Sequence, residues 1–187
     1  MIDFSLLAKS QEYYTQHGFP RVESPWTVTE EIIQITLPKN VKPLKLIHED
    51  GKCLVGSGEQ SFLYLFLKGF LPKGKYQTTT PCFRNDNFNF THTKYFIKNE
   101  LIITDEVNSS SLDSIVDISF RFFNMFFKNV QLKITPEGCD INTRINDTIY
   151  ELGSYGIRQC EFLTWIYGTG LAEPRTSSLI QLQNREA

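Results

Sequence analysis

The stretch PCFRNDNFNFTHTKYFIKNEL, residues 81–101, decides how the rest of the chain is read. It divides into two strands, about 77–86 and 93–104, joined by the polar run NDNFNFT, which makes a hairpin with a long loop. Arg84 is seated between Phe83 and Asn85. An arginine in a strand ordinarily occupies the solvated face. Charged residues also stand in or beside other strands: Glu100, Glu151, Arg158 and Arg175. Several such residues, in separate segments of one sheet, imply a shared polar cleft. Guanidinium groups bind phosphates through paired, charge-assisted hydrogen bonds. Carboxylates on the same surface hold Mg²⁺ or an ammonium. The combination suits a nucleoside triphosphate, its metal and an amino acid, although ion pairing alone would also explain it.

Outward from the hairpin, residues 3–17 carry Phe4, Leu7, Ala8 and Tyr14 at helical spacing, with Gly18 as the stop. FPRVESPWTV is kept extended by Pro20 and Pro25, and Pro38 to Asp50 reads as loop and strand. EQSFLYLFLKGF reads as a short buried helix ending at Gly69. Residues 111–129 form the strongest helix signal, with a serine-rich start, Asp113 in the first turn and apolar residues on more than one face. Strands follow, turning at Asn146-Asp147 and running through Glu151 to Arg158. A glycine-containing turn then leads into a last helix from about Thr176. Successive hairpins among helices predict an α+β domain, an antiparallel sheet flanked by helices, filling residues 1–187 as one unit.

Composition fits that reading. A chain of 187 residues, 41% hydrophobic and 13% aromatic, can bury a core. Nineteen basic and twenty-one acidic residues give a net charge of -2, which argues against gripping nucleic acid by bulk charge. Cys53, Cys82, Cys139 and Cys160 are too far apart for a zinc ribbon or a dense disulfide scaffold, and reduced thiols are expected. No signal-peptide pattern and no apolar run of about 20 residues is present, so a soluble, cytoplasmic protein with no membrane partner is expected.

In their order, three segments resemble the signature motifs of class II aminoacyl-tRNA synthetase catalytic domains. HGFPRVESPWTV resembles motif 1, a helix and a strand with a proline, Pro25. CFRND followed by HTKYFIKNEL resembles motif 2, and GTGLAEPRTSSLIQL resembles motif 3. The resemblance covers about residues 3–185 and implies the fold, ATP and Mg²⁺ as ligands, and a homodimer built through motif 1. It makes Arg84 the ligand of the α-phosphate, Arg175 that of the γ-phosphate, Phe96 the ring stacked on adenine and His92 a ligand of the outer phosphates. Asp86 stands where the family usually has Glu, one methylene longer. GSGEQ, residues 56–60, resembles the loop holding the amino-acid ammonium, through Ser57 and Glu59 with Glu100 beside them.

YELGSYGIR resembles aspartate- and asparagine-type members, in which Glu151 would hold the metal and Arg158 a substrate carboxylate. PCFRND and FIKNEL resemble seryl-type members instead, in which Ser154 would lie near the side chain. A lysine expected after the ammonium loop is absent, its place falling at Phe62. The expected activity is activation of a small polar amino acid as its adenylate. With no residues left for an anticodon domain, transfer to a small amine, ammonia or a carrier protein is expected in preference to tRNA. The alternatives are a non-catalytic paralogue acting as a binding subunit, and a tRNA ligase lacking its anticodon domain.

Overall fold

The computed structural model describes residues 1–39, 41–45, 51–84 and 94–185. The expected hairpin forms one edge of its main sheet: β3 (Lys75–Phe83) and β4 (Tyr95–Ile103), paired antiparallel from Lys75 opposite Ile103 to Phe83 opposite Tyr95. Three further segments enter the same sheet after the helix α4 (Ser109–Asn124): β5 (Val130–Thr135), β6 (Gly138–Ile145) and β7 (Thr148–Gln159). The last strand, β8 (Thr164–Glu173), inserts between β4 and β7, giving the order β3-β4-β8-β7-β6-β5, antiparallel at every junction. The β6–β7 turn falls on Asn146 and Asp147, both with positive φ (47° and 58°), as a tight hairpin turn requires.

Helices cover both faces. On one lie α1 (Phe4–Gln16), α4 and α5 (Arg175–Arg185), with Tyr14, Phe122, Phe123 and Leu179 packed on Leu101, Leu152, Tyr155 and Ile166. On the other lie α2 (Glu30–Thr36) and α3 (Gly58–Leu67), with the two-stranded sheet of β1 (Thr27–Thr29) and β2 (Lys52–Leu54). There Val28, Ile33, Phe62 and Leu63 pack on Ile102 and Trp165. Alternation along β4 sends Leu101 and Ile103 to the first core and Ile102 to the second.

Several details depart from expectation. Gly168 and Gly170 do not form a turn; both lie inside β8. A Cβ at Gly168 would stand 2.8 Å from the Tyr155 ring, and one at Gly170 2.9 Å from Tyr14, so close ring packing accounts for both glycines. Helix α4 begins at Ser109, capped by the Asn108 side chain on Ser111 N, and stops at Asn124 rather than 129. Helix α2 was not anticipated. All four cysteines are free, and no helix among the described residues is long and apolar enough to cross a membrane.

Candidate functional site

The second-core face opens into a cavity of about 300 Å³. Its sheet wall is made by alternate residues of three strands. On β4, Phe96, Lys98 and Glu100 share the face of Ile102, and on β8 Tyr167 and Thr169 extend it. On β7 the contributors are Glu151, Ser154 and Arg158. Glu151 and Ser154 are three apart, so plain alternation would separate them. The pairing of β6 with β7 shifts between Ile141 and Asn142, leaving Leu152 as an extra residue in β7. This bulge puts Leu152 in the first core and Glu151 on the cavity side. A facing wall comes from α2 and the chain after it, including Ile33, Leu37, Val41 and Leu44.

Ser57, Glu59 and Glu100 meet at the N-terminus of α3. Ser57 caps the helix, accepting from Glu59 N at 3.3 Å, and its hydroxyl donates to Glu100 Oε1 at 2.6 Å. Gly58 N donates to Glu100 Oε2, a favourable place for a carboxylate at a helix start. Lys98 Nζ completes the set, 2.8 Å from Glu100 Oε1. Burial opposes the Glu100 charge, but Lys98 and the Ser57 and Gly58 hydrogen bonds outweigh it and hold its pKa below the usual value. Beside it, burial pushes the Cys82 thiol up to about 12, so Cys82 is an inert neighbour.

Glu59 is also buried. It accepts from Trp165 Nε1 at 2.6 Å and from Arg158 Nη1 at 2.6 Å. Burial raises its pKa, against the pull of Arg158 and Trp165. Burial disfavours the Arg158 charge, but Glu59 and Glu137 more than offset it and raise its pKa. The same guanidinium lies 4.0 Å from the Tyr167 ring centroid and 3.5 Å from Glu137 Oε2. Arg158 is therefore not the ion-pair partner of Glu151. Glu151, half-exposed, instead accepts from Arg175 Nη1 at 3.2 Å, the arginine that opens α5.

Arg84 follows the last residue of β3. Its Nε donates to Gly56 O at 2.9 Å, and its guanidinium lies 5.2 Å from the Phe96 ring centroid. Its own backbone N donates to Lys94 O at 2.9 Å, where the described ends of the hairpin meet. Asp86 and His92 lie outside the described residues. Arg84, Ser57, Glu59, Glu100, Glu151, Ser154 and Arg158 thus line one cavity, with Phe96 against Arg84 and Arg175 against Glu151.

Sequence reasoning missed Lys98, Gln60 and Trp165. Lys98 was legible from its two-residue spacing between Phe96 and Glu100. Gln60 accepts from Gly56 N at 2.8 Å and donates to Thr36 Oγ1 at 3.1 Å, tying the start of α3 to α2. Nothing local marks Trp165, whose partner Glu59 lies in α3, and the link from Gln60 to Thr36 likewise depends on another segment.

No family model matches the chain, and no curated protein matches it. Solved structures do. Seryl-tRNA synthetase from Pyrococcus horikoshii, complexed with ATP, aligns over 95% of this chain and 49% of its own, with TM-score 0.75 and 13% identity. The cytoplasmic serine-tRNA ligase of Naegleria fowleri, in complex with AMP, aligns over 94% of this chain and 52% of its own, at TM-score 0.72 and 15% identity. Pyrrolysyl-tRNA synthetase from Desulfitobacterium hafniense aligns over 95% and 69%, at TM-score 0.69 and 16% identity. The chain spans about half the length of the two seryl enzymes. At these identities the likeness establishes architecture: a six-stranded antiparallel sheet flanked by helices, the catalytic fold of class II aminoacyl-tRNA synthetases.

Proposed function

We propose that the chain binds ATP with Mg²⁺ and activates the carboxylate of an amino acid as its adenylate. The observation that carries this reading is the convergence, in one cavity of a synthetase fold, of the motif 2 arginine with acids and cations from β4, β7 and α3. A carboxylate oxygen attacks the α-phosphorus, the bond to the bridging oxygen breaks, and pyrophosphate leaves with the electron pair. No protein nucleophile or base is needed. The requirement is fixed positive charge where phosphoryl charge develops. Arg84, held by Gly56 O and the Phe96 ring, suits that task at the α-phosphate. Arg175 would exchange Glu151 for the γ-phosphate.

Among the described residues no three metal-ligating side chains converge. Mg²⁺ takes most of its ligands from phosphates and water and needs one or two carboxylates. Glu151, half-exposed on the cavity side, would be its protein ligand, and the ion would supply charge neutralisation across the phosphates. His92 and Asp86 belong to the reading as ligands of ATP. The amino acid would be small and polar, with Ser57, Glu59 and Glu100 toward its ammonium and Ser154 and Arg158 toward its side chain. The near-neutral charge favours a small amine, ammonia or a carrier protein as acceptor over tRNA. A homodimer through residues 17–28 completes the proposal.

ATP–pyrophosphate exchange against the twenty amino acids tests it. Exchange with one of them, reduced about 100-fold or more in Arg84→Ala, is expected. No exchange with any, together with no thermal shift by ATP·Mg²⁺, would overturn activation in favour of a non-catalytic binding subunit. Aminoacylation of tRNA would overturn the choice of acceptor.

A further inference from the structure

The acid expected to take a substrate ammonium, Glu100, is saturated within the chain. Oε1 accepts from Ser57 and Lys98, Oε2 from Gly58 N, and the Cys82 thiol stands 3.9 Å from Oε2. Three of these donors are fixed. Ser57 and Gly58 belong to the start of α3, and a Cβ at Gly58 would already stand 2.9 Å from Glu100 Oε2 and 3.0 Å from Thr78 and Thr80. Cys82 is fully buried. Lys98 alone has a long flexible stem, and it lines the cavity with its side chain 14% exposed.

We infer that Lys98 is an internal stand-in for the substrate ammonium: it neutralises Glu100 until the amino acid arrives, yields that carboxylate to the α-ammonium, and turns its own charge toward the phosphoryl oxygens beside Arg84, where charge develops. This rests on the activation reading and assigns a specificity-determining residue within that site. One ammonium replaces another, so the buried carboxylate is never left without a cation, the state that makes breaking a buried pair costly. Glu59 offers no such exchange, because Trp165 holds it and its partner Arg158 is also held by Glu137 and the Tyr167 ring. The displaced amine has somewhere to go. Along β4, Lys98 lies between Glu100 and Phe96, over which Arg84 stacks. An amino acid with its ammonium at Glu100 and its carboxylate toward Arg84 passes Lys98.

The test is pyrophosphate exchange by wild type, Lys98→Met and Lys98→Arg, with ATP-induced thermal shift as the check on folding. Removing the competitor should lower KM for the amino acid severalfold in Lys98→Met, while loss of the redirected charge lowers kcat about tenfold. Lys98→Arg, which keeps the charge and can hold Glu100 with two hydrogen bonds, should raise KM. A raised KM with unchanged kcat in Lys98→Met would mean that Lys98 merely props Glu100, overturning the inference. So would a KM unmoved or lowered in Lys98→Arg, the arm that decides if Lys98→Met fails to fold. Absence of exchange in wild type would overturn the activation reading first, and this inference with it.

Discussion

Glu100 shows how one carboxylate is stabilised in a place that should neutralise it. Burial raises the cost of its charge, and Lys98, Ser57 and Gly58 N more than return that cost, so its pKa falls. A carboxyl depressed in the folded state adds stability above its unfolded value, about 4.3 for Glu, and loses that contribution as pH falls through the depressed value. The melting-temperature gap between wild type and Glu100→Gln should therefore be widest near neutrality and narrow below about pH 4. A gap constant with pH would contradict the assignment. Glu59 shifts the opposite way, raised by burial. Its contribution is greatest when protonated and declines as pH rises through its elevated value; the Glu100 charge adds to that rise, so Glu100→Gln also relaxes Glu59 and takes a part off the gap near neutrality. At this scale the sequence was informative about candidates and silent about partners. Arg158, Glu59 and Glu151 were each singled out, yet Arg158 joins Glu59 and Glu151 joins Arg175. Pairing depends on how α3 and α5 approach β7, which no local pattern encodes.

Elements were legible where periodicity was long or a turn had its own chemistry. The β3–β4 hairpin and the Asn146-Asp147 turn followed from alternation and from residues that tolerate positive φ. β8 was misread at its glycines, because glycine marks both a turn and a close approach, and the deciding neighbours, Tyr14 and Tyr155, lie in α1 and β7. α2, of seven residues, and β1 and β2, of three each, are too short to show a period. The start of α3 is the element on which the cavity depends most. Gly58→Ala would press a methyl against Glu100 and the threonines of β3, moving the helix or the carboxylate. A loss of about 1–3 kcal/mol in urea unfolding is expected. An unchanged midpoint would show that α3 can retreat freely.

For the molecule as a whole, the sheet is the shared wall of two cores. Adjacent residues of β4 serve opposite sides, Leu101 and Ile103 one core and Ile102 the other. Neither core can open without disturbing strands that the other needs. Phe122→Ala in the first core and Phe62→Ala in the second should each cost about 3–5 kcal/mol. Each variant should still unfold in one transition, by fluorescence and circular dichroism alike. Two separated transitions would mean that the faces fold independently. The α+β class and the gathering of charged residues from separate strands at one cavity were readable from residue order, whereas the bulge that aims Glu151 was not. That bulge also sets where β7 can change length. Deleting one residue between Leu152 and Ser154 would restore plain alternation with Glu151 and Ser154 still facing the cavity and Leu152 still in the core. The same deletion between Tyr155 and Arg158 would carry everything on one side of the cut to the wrong face. β7 thus has one joint that absorbs a gain or loss of chain, and it lies beside Glu151, the carboxylate proposed to hold Mg²⁺.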